Sequence, residues 1–257
     1  SADTPKRARL AVQKRDAETG ETSPYTEALS FAGAEFGIYR DKDCTELIQS
    51  LVTDESGYAV SEELLIDTYY IREITAPEGY NRNPKIFAVA PEQMKEALDK
   101  DEAQAVVVTD VEQEIIRANV LLMKYINDDD GSTIQRPQDR DLSGIRFTFT
   151  YVEDESVTFD VCGEKNTIIT DENGVAVTED REKYPRGTLI YGTWRISEIP
   201  NSGLLEPIRD FEIQVTEEGG IYPYVANNDT VQARVEIQKR DANTGELIPL
   251  SDVSFRI

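Results

Sequence analysis

The 257-residue chain contains no histidine, only two cysteines and one tryptophan, and is short of positive charge, with 27 Lys and Arg against 50 Asp and Glu. Each shortage excludes something. Without histidine there is no Ser–His or Cys–His nucleophile pair and no imidazole metal ligand. A formal net charge of −23 repels phosphate. That argues against a nucleic-acid partner and against contact with an anionic membrane surface. No apolar run approaches the ~18 residues that span a bilayer. Cys44 and Cys162 lie far apart with no CxxC spacing, so two small buried or half-buried residues are expected rather than a disulfide. The chain opens Ser-Ala-Asp-Thr, with neither methionine nor signal peptide. It reads as a segment of a longer chain whose export signal and anchor lie outside it.

What the chain does contain is repetition. Gln13-Lys14-Arg15-Asp16-Ala17-Glu18-Thr19-Gly20-Glu21 recurs, with one change in nine positions, as Gln238-Lys239-Arg240-Asp241-Ala242-Asn243-Thr244-Gly245-Glu246. A weaker copy, Met123-Lys124-Tyr125-Ile126-Asn127-Asp128, lies between them. A Phe-containing apolar stretch follows each copy, at Phe36, Phe147 and Phe255. Thr53-Asp54-Glu55-Ser56-Gly57 is answered by Thr170-Asp171-Glu172-Asn173-Gly174, an Asp/Gly pattern that makes tight turns. Tyr69–Ile74 is answered by Thr193–Ile199. The order is the same each time, and the period is that of a domain rather than a solenoid repeat. The expected organisation is one domain at 8–117, a second at 118–233, and the truncated start of a third at 234–257. The acidity is shared between the first two units and is not a tail.

Alternation of apolar and polar residues is the dominant pattern. Short alternating segments broken by Gly, Pro and Asx turns predict antiparallel β-sandwiches. One helix is expected at Pro91–Asp101, with proline in the first turn and Met94, Ala97 and Leu98 on one face. The alternation also places ionisable residues on core faces. Lys14 falls in line with Leu10 and Val12, Lys124 with Val120 and Leu122, and Lys239 with Val235 and Ile237. Glu73 falls in line with Tyr69 and Ile71, and Glu198 with Trp194 and Ile196. Asp110 shares a face with Val106 and Val108, and Asn227 shares one with Val225. A buried charge is costly unless paired. The plain reading of any one is a buried ion pair or a register slip into solvent; the repetition argues for more.

Lys-Arg-Asp-Ala-Glu-Thr-Gly, Gly-Ala-Glu-Phe-Gly-Ile-Tyr and Tyr-Tyr-Ile-Arg-Glu-Ile-Thr-Ala-Pro-Glu-Gly-Tyr together resemble the Cna B-type domains of Gram-positive surface adhesins and pilins. The resemblance covers the first unit and the start of the third. The second keeps the Glu of Glu198-Ile199-Pro200-Asn201-Ser202-Gly203 but loses the Ala-Pro-x-Gly-Tyr tail. The resemblance implies an all-β fold of tandem transthyretin-like (reversed immunoglobulin-like) β-sandwiches, with a short helix inserted in the first. It also implies an intramolecular isopeptide bond in each. Carried over by residue, Lys14 would join Asp110 with Glu73 assisting. Lys124 would join Asn227, or alternatively Asn228, with Glu198 assisting. Lys239 would be the nucleophile of the third unit.

Burial would lower the lysine pKa and raise the glutamate pKa, giving a neutral amine nucleophile beside a protonated carboxyl that can shuttle protons. Proximity supplies much of the remaining acceleration. An Asp partner releases water and an Asn partner ammonia, a combined loss of about 35 Da. This is a single-turnover self-reaction, so no enzyme activity, metal or cofactor is expected. The implied role is a mechanically stabilised stalk segment of an extracellular, cell-wall-anchored protein, whose partners are neighbouring domains of the same chain. The alternative is an adhesin module that binds a host matrix protein or glycan through sandwich loops. The inserted regions Pro84–Gln104 and Asp128–Leu142 would carry such binding.

The acidic loops Asp41-Lys42-Asp43 and Asp128-Asp129-Asp130-Gly131 lack the EF-hand spacing and read as solvated loops. Tyr184-Pro185-Arg186 is a partial echo of the Tyr-Pro-Lys-like motif of shaft pilins and reads as a turn.

Overall fold

The computed structural model describes residues 5–127, 133–134, 142–201 and 206–228. The expected third unit, with Lys239, and nearly all of the Asp128–Leu142 insertion lie outside the described residues.

Two sandwiches follow one another with the same wiring, apart from one short strand added in the second. In the first, β1 (Arg7–Asp16) is central to one sheet. It pairs antiparallel with β4 (Tyr58–Val60) and β5 (Leu64–Leu65), and parallel with β8 (Val106–Gln113). The facing sheet runs β3 (Leu47–Val52), β2 (Glu35–Tyr39), β6 (Tyr69–Thr75), β7 (Ile86–Val89). In the second, β9 (Arg117–Asn127) takes the place of β1. It pairs antiparallel with β10 (Thr133–Ile134), β13 (Val175–Val177) and β14 (Leu189–Ile190), and parallel with β17 (Ile221–Asn228). Its facing sheet runs β12 (Thr167–Ile169), β11 (Arg146–Tyr151), β15 (Gly192–Ile199), β16 (Phe211–Val215). The first and last strands of each sandwich are thus parallel neighbours.

The strands form because their alternation gives each sheet one apolar face to bury. Leu10, Val12, Phe36, Ile38 and Ile71 are wholly buried between the first pair of sheets, and Val120, Leu122, Phe147, Trp194 and Ile196 between the second. The inserted helix α1 spans Pro91–Lys100 and packs on this first core through Met94 and Leu98. Proline occupies its first turn, and Gln93 Oε1 accepts the Ala90 N–H at 2.8 Å.

The repeated Thr-Asp-Glu-x-Gly segments are turns with a shared internal structure. Asp54 Oδ1 accepts the N–H groups of Ser56 and Tyr58 at 2.9 and 3.1 Å. Asp171 Oδ1 accepts those of Asn173 and Val175 at 2.8 and 2.9 Å. Gly57 and Gly174 close the turns at φ of +72° and +73°, a region costly for other residues. Asp41 spends its carboxylate on its own loop, accepting the N–H groups of Thr45 and Glu46 at 3.0 and 2.7 Å. The cysteines are free. Cys44 is half-buried, but Cys162 is exposed, contrary to the burial expected, because it sits in a bend whose side chains face solvent.

Candidate buried lysine site

In the first sandwich β1 delivers Lys14 and β6 delivers Glu73 to the same point between the sheets. Both side chains are fully excluded from solvent, and the Lys14 ammonium donates to Glu73 Oε1. Glu73 Oε2 accepts the Asn83 N–H at 2.5 Å. The Phe36 ring lies under the lysine, its centroid 4.7 Å from Nζ. In the second sandwich β9 delivers Lys124 and β15 delivers Glu198, with Lys124 Nζ 2.7 Å from Glu198 Oε1 and both side chains fully buried. Glu198 Oε2 accepts the Ile208 N–H at 3.1 Å. Phe147 lies under this lysine at 5.9 Å. The strand registers correspond, since Phe36 is opposite Glu73 and Phe147 opposite Glu198. Burial pushes both lysines below the usual ammonium range, and the adjacent glutamates pull partly back.

The last strands depart from expectation. Asp110 does not reach Lys14. The parallel register sets Asp110 opposite Gln13 and Val111 opposite Lys14, so the aspartate lies on the outer face. Its side chain is 56% exposed and pairs with Arg15 at 2.9 Å. The inward residues are Val111 and Gln113, both wholly buried. Lys14 Nζ donates to Gln113 Oε1, and Gln113 Nε2 donates to the Asn81 carbonyl. Asn227 is likewise exposed, because Ala226 holds the position opposite Lys124 and alternation turns Asn227 outward. Asn228 is opposite Ile126, two positions beyond Lys124. Gln113 stands two positions beyond Lys14 in the same way, opposite Asp16. The register thus makes Asn228 the counterpart of Gln113.

Two further parts of the site lie in motifs that the sequence repeats without stating their role. The Gly57 and Gly174 carbonyls accept the backbone N–H groups of Lys14 and Lys124, at 2.9 and 2.8 Å. A Cβ on Gly57 would stand 2.8 Å from Lys14 Cβ, and one on Gly174 3.2 Å from Lys124 Cβ. The repeated turn is therefore a lid laid against each lysine, and glycine is what lets it close. The phenylalanine that follows each repeat is the floor beneath the ammonium. A fixed recurrence of Lys, Phe, Asp-x-x-Gly and Glu was the available signal.

Residues 9–104 match the family model of the SpaA prealbumin-like fold domain. That match spans most of the first sandwich and agrees with its fold and with the Cna B-type resemblance. A 57-residue stretch is 35% identical to the trypsin-resistant surface T6 protein of Streptococcus pyogenes serotype M6, covering 22% of this chain and 10% of that protein. The Bacillus anthracis TIE protein superposes with a TM-score of 0.58 at 20% identity, over 86% of this chain and 34% of that one, and shares the fold. The C-terminal fragment of the pilus adhesin SpaC from Lactobacillus rhamnosus GG gives a TM-score of 0.46 at 13% identity, over 89% of this chain and 100% of that one. The chain spans only a small part of the T6 protein and about a third of the TIE protein.

Proposed function

We propose that the chain is a stalk segment of a Gram-positive cell-surface protein whose sandwiches are stapled by autocatalytic isopeptide bonds, Lys14 to Gln113 and Lys124 to Asn228. The observation that carries this reading is the repeated buried Lys–Glu pair, set on a phenylalanine at the same register in both sandwiches. An isolated buried ion pair is poor value for stability. Its recurrence beside a carboxamide in the first sandwich supports a chemical use.

The reaction is an acyl transfer. The neutral Lys14 amine attacks Cδ of Gln113, the Nζ–Cδ bond forms and the Cδ–Nε2 bond breaks. One proton passes from Nζ through Glu73 to Nε2, and ammonia leaves. The Asn81 carbonyl holds Nε2 and so fixes which face of the amide meets the lysine. In the second sandwich Glu198 serves Lys124 in the same way.

Both donors being amides, the chain would weigh about 34 Da less than its sequence mass, two ammonias, rather than the 35 Da expected with an aspartate donor. Intact mass and tandem mass spectrometry of a digest test this. A Lys14–Gln113 branched peptide is the expected product, and a chain of full sequence mass refutes the proposal. The surface location agrees with that of the T6 surface protein to which the chain is similar.

A further inference from the structure

Phe31 and Tyr80 belong by sequence to the first sandwich but are not in its core. They join the continuous buried cluster that holds Val120, Phe147, Tyr151 and Trp194 of the second. The first sandwich's own core is a separate cluster around Leu10, Phe36, Ile71 and Met94. The two rings meet at 5.2 Å. Tyr80 ends the Ala-Pro-Glu-Gly-Tyr tip that follows β6, and that tip is fastened to what comes after it. Tyr80 forms an antiparallel bridge with Ile115. The Ile116 N–H donates to the Gly79 carbonyl at 2.9 Å, and the Asn81 N–H to the Glu114 carbonyl at 2.8 Å. The Tyr191 hydroxyl donates to Glu78 Oε1 at 2.8 Å. A Cβ on Gly79 would stand 2.9 Å from Tyr191 Cδ1, so the tip meets that ring with no room for a side chain.

A polar clamp stands beside this apolar plug. Arg117, the first residue of β9, is 5% exposed. Its Nε and Nη2 donate to the two carboxylate oxygens of Glu18 at 2.7 and 2.6 Å. Its Nη1 donates to the Thr188 carbonyl at 3.1 Å, and the guanidinium covers the Tyr25 ring at 5.3 Å. Paired planar charge of this kind is the strong form of ion pair. Glu18 is also the one position at which the repeated nine-residue motif changes, to Asn243 in the last copy. The varied residue of an otherwise fixed motif is the one that grips the next sandwich.

We infer that Glu18, Phe31 and the Glu78-Gly79-Tyr80 tip form a docking surface whose partner is the following sandwich of the same chain, and that this joins the two into one cooperative unit. Domains joined by a linker alone would unfold separately, and substitutions in one would leave the other unmoved. Here the second core is completed by residues of the first.

The test uses the whole chain. Trp194 is the single tryptophan and is buried in the second sandwich, so its fluorescence reports that sandwich alone. Tyr80→Ala, made in the first, should lower the Trp194 thermal midpoint by about 10 °C or more. Glu18→Asn installs the last copy's residue, leaves both apolar cores intact, and should lower that midpoint by roughly 3–8 °C. A Trp194 transition that stays in place in Glu18→Asn, or in Tyr80→Ala while β1 and β2 amides exchange faster, overturns the inference.

Discussion

Replacing Glu73 by glutamine changes one atom at the centre of the first site and should separate the chemistry from the packing. Glutamine keeps the shape and can still accept the Asn83 N–H, but it cannot carry the proton from Lys14 Nζ to Gln113 Nε2. The first bond should not form, while the second, served by Glu198, should. The chain should then lack about 17 Da instead of 34. The stability cost follows from the loop that is no longer closed. Lys14 and Gln113 are 99 residues apart. Closing a loop of that length removes denatured-state entropy worth about 4.7 kcal/mol at 25 °C. For one cooperative unit of roughly 200 residues, each kcal/mol moves the midpoint by ~2–4 °C, so the variant should melt about 10–20 °C below the native chain. Mass spectrometry and calorimetry on the same sample check both numbers. A Glu73→Gln chain that still lacks both ammonias refutes the role given to Glu73. One that loses the bond yet melts unchanged refutes the stabilising role of the cross-link.

Glu198→Gln should give the complementary result, with the Lys14–Gln113 peptide present in the digest and the Lys124–Asn228 peptide gone. Gln113→Ala leaves Lys14 as a free buried amine. Because burial lowers its folded pKa below the ordinary 10.5, the unfolded chain binds more protons between the two values, so urea stability should rise with pH across that window and be flat below it; the cross-linked chain, whose nitrogen is an amide, should show no such rise. Gly57→Ala forces a side chain into a positive-φ position 2.8 Å from Lys14 Cβ, and should cost ~1–3 kcal/mol by denaturant titration and leave cross-linking incomplete by mass.

The central strands were legible because each buries one clean face. In β1, β6, β9 and β15 large apolar residues alternate with polar ones, and the ionisable residue falls in step with them. The last strands were not. Val106, Val107 and Val108 are apolar on both faces, so alternation begun at Val106 runs to Asp110 on the outer side. Only the parallel pairing with β1 shows that the inward set ends at Gln113. In β17 the exposed Val225 misled in the same way, since the small Ala226 is the buried neighbour. The docking surface was illegible for another reason. Tyr80 and Phe31 look like core residues of their own domain, and no local pattern states which core they enter.

The topology also says what the cross-link does under tension. Tension on the first sandwich enters at the start of β1 and leaves at the end of β8. These strands are parallel neighbours in register from Arg9 to Asp16. Pulling their opposite ends therefore shears the pair and loads its hydrogen bonds together rather than one at a time. Lys14 lies near the far end of β1 and Gln113 at the loaded end of β8, so a bond between them carries the tension from one strand to the other before it reaches the intervening chain. At ~3.3–3.6 Å per extended residue, the 99-residue separation amounts to roughly 330–360 Å of chain that cannot pay out. Single-molecule stretching of the native chain should show no extension step of that size from the first sandwich. The Glu73→Gln chain should show one, shortened only by the folded distance between the two residues. A native chain that releases the full length refutes the mechanical role of the bond, and a variant that does not release it shows that tension bypasses these strands by another route.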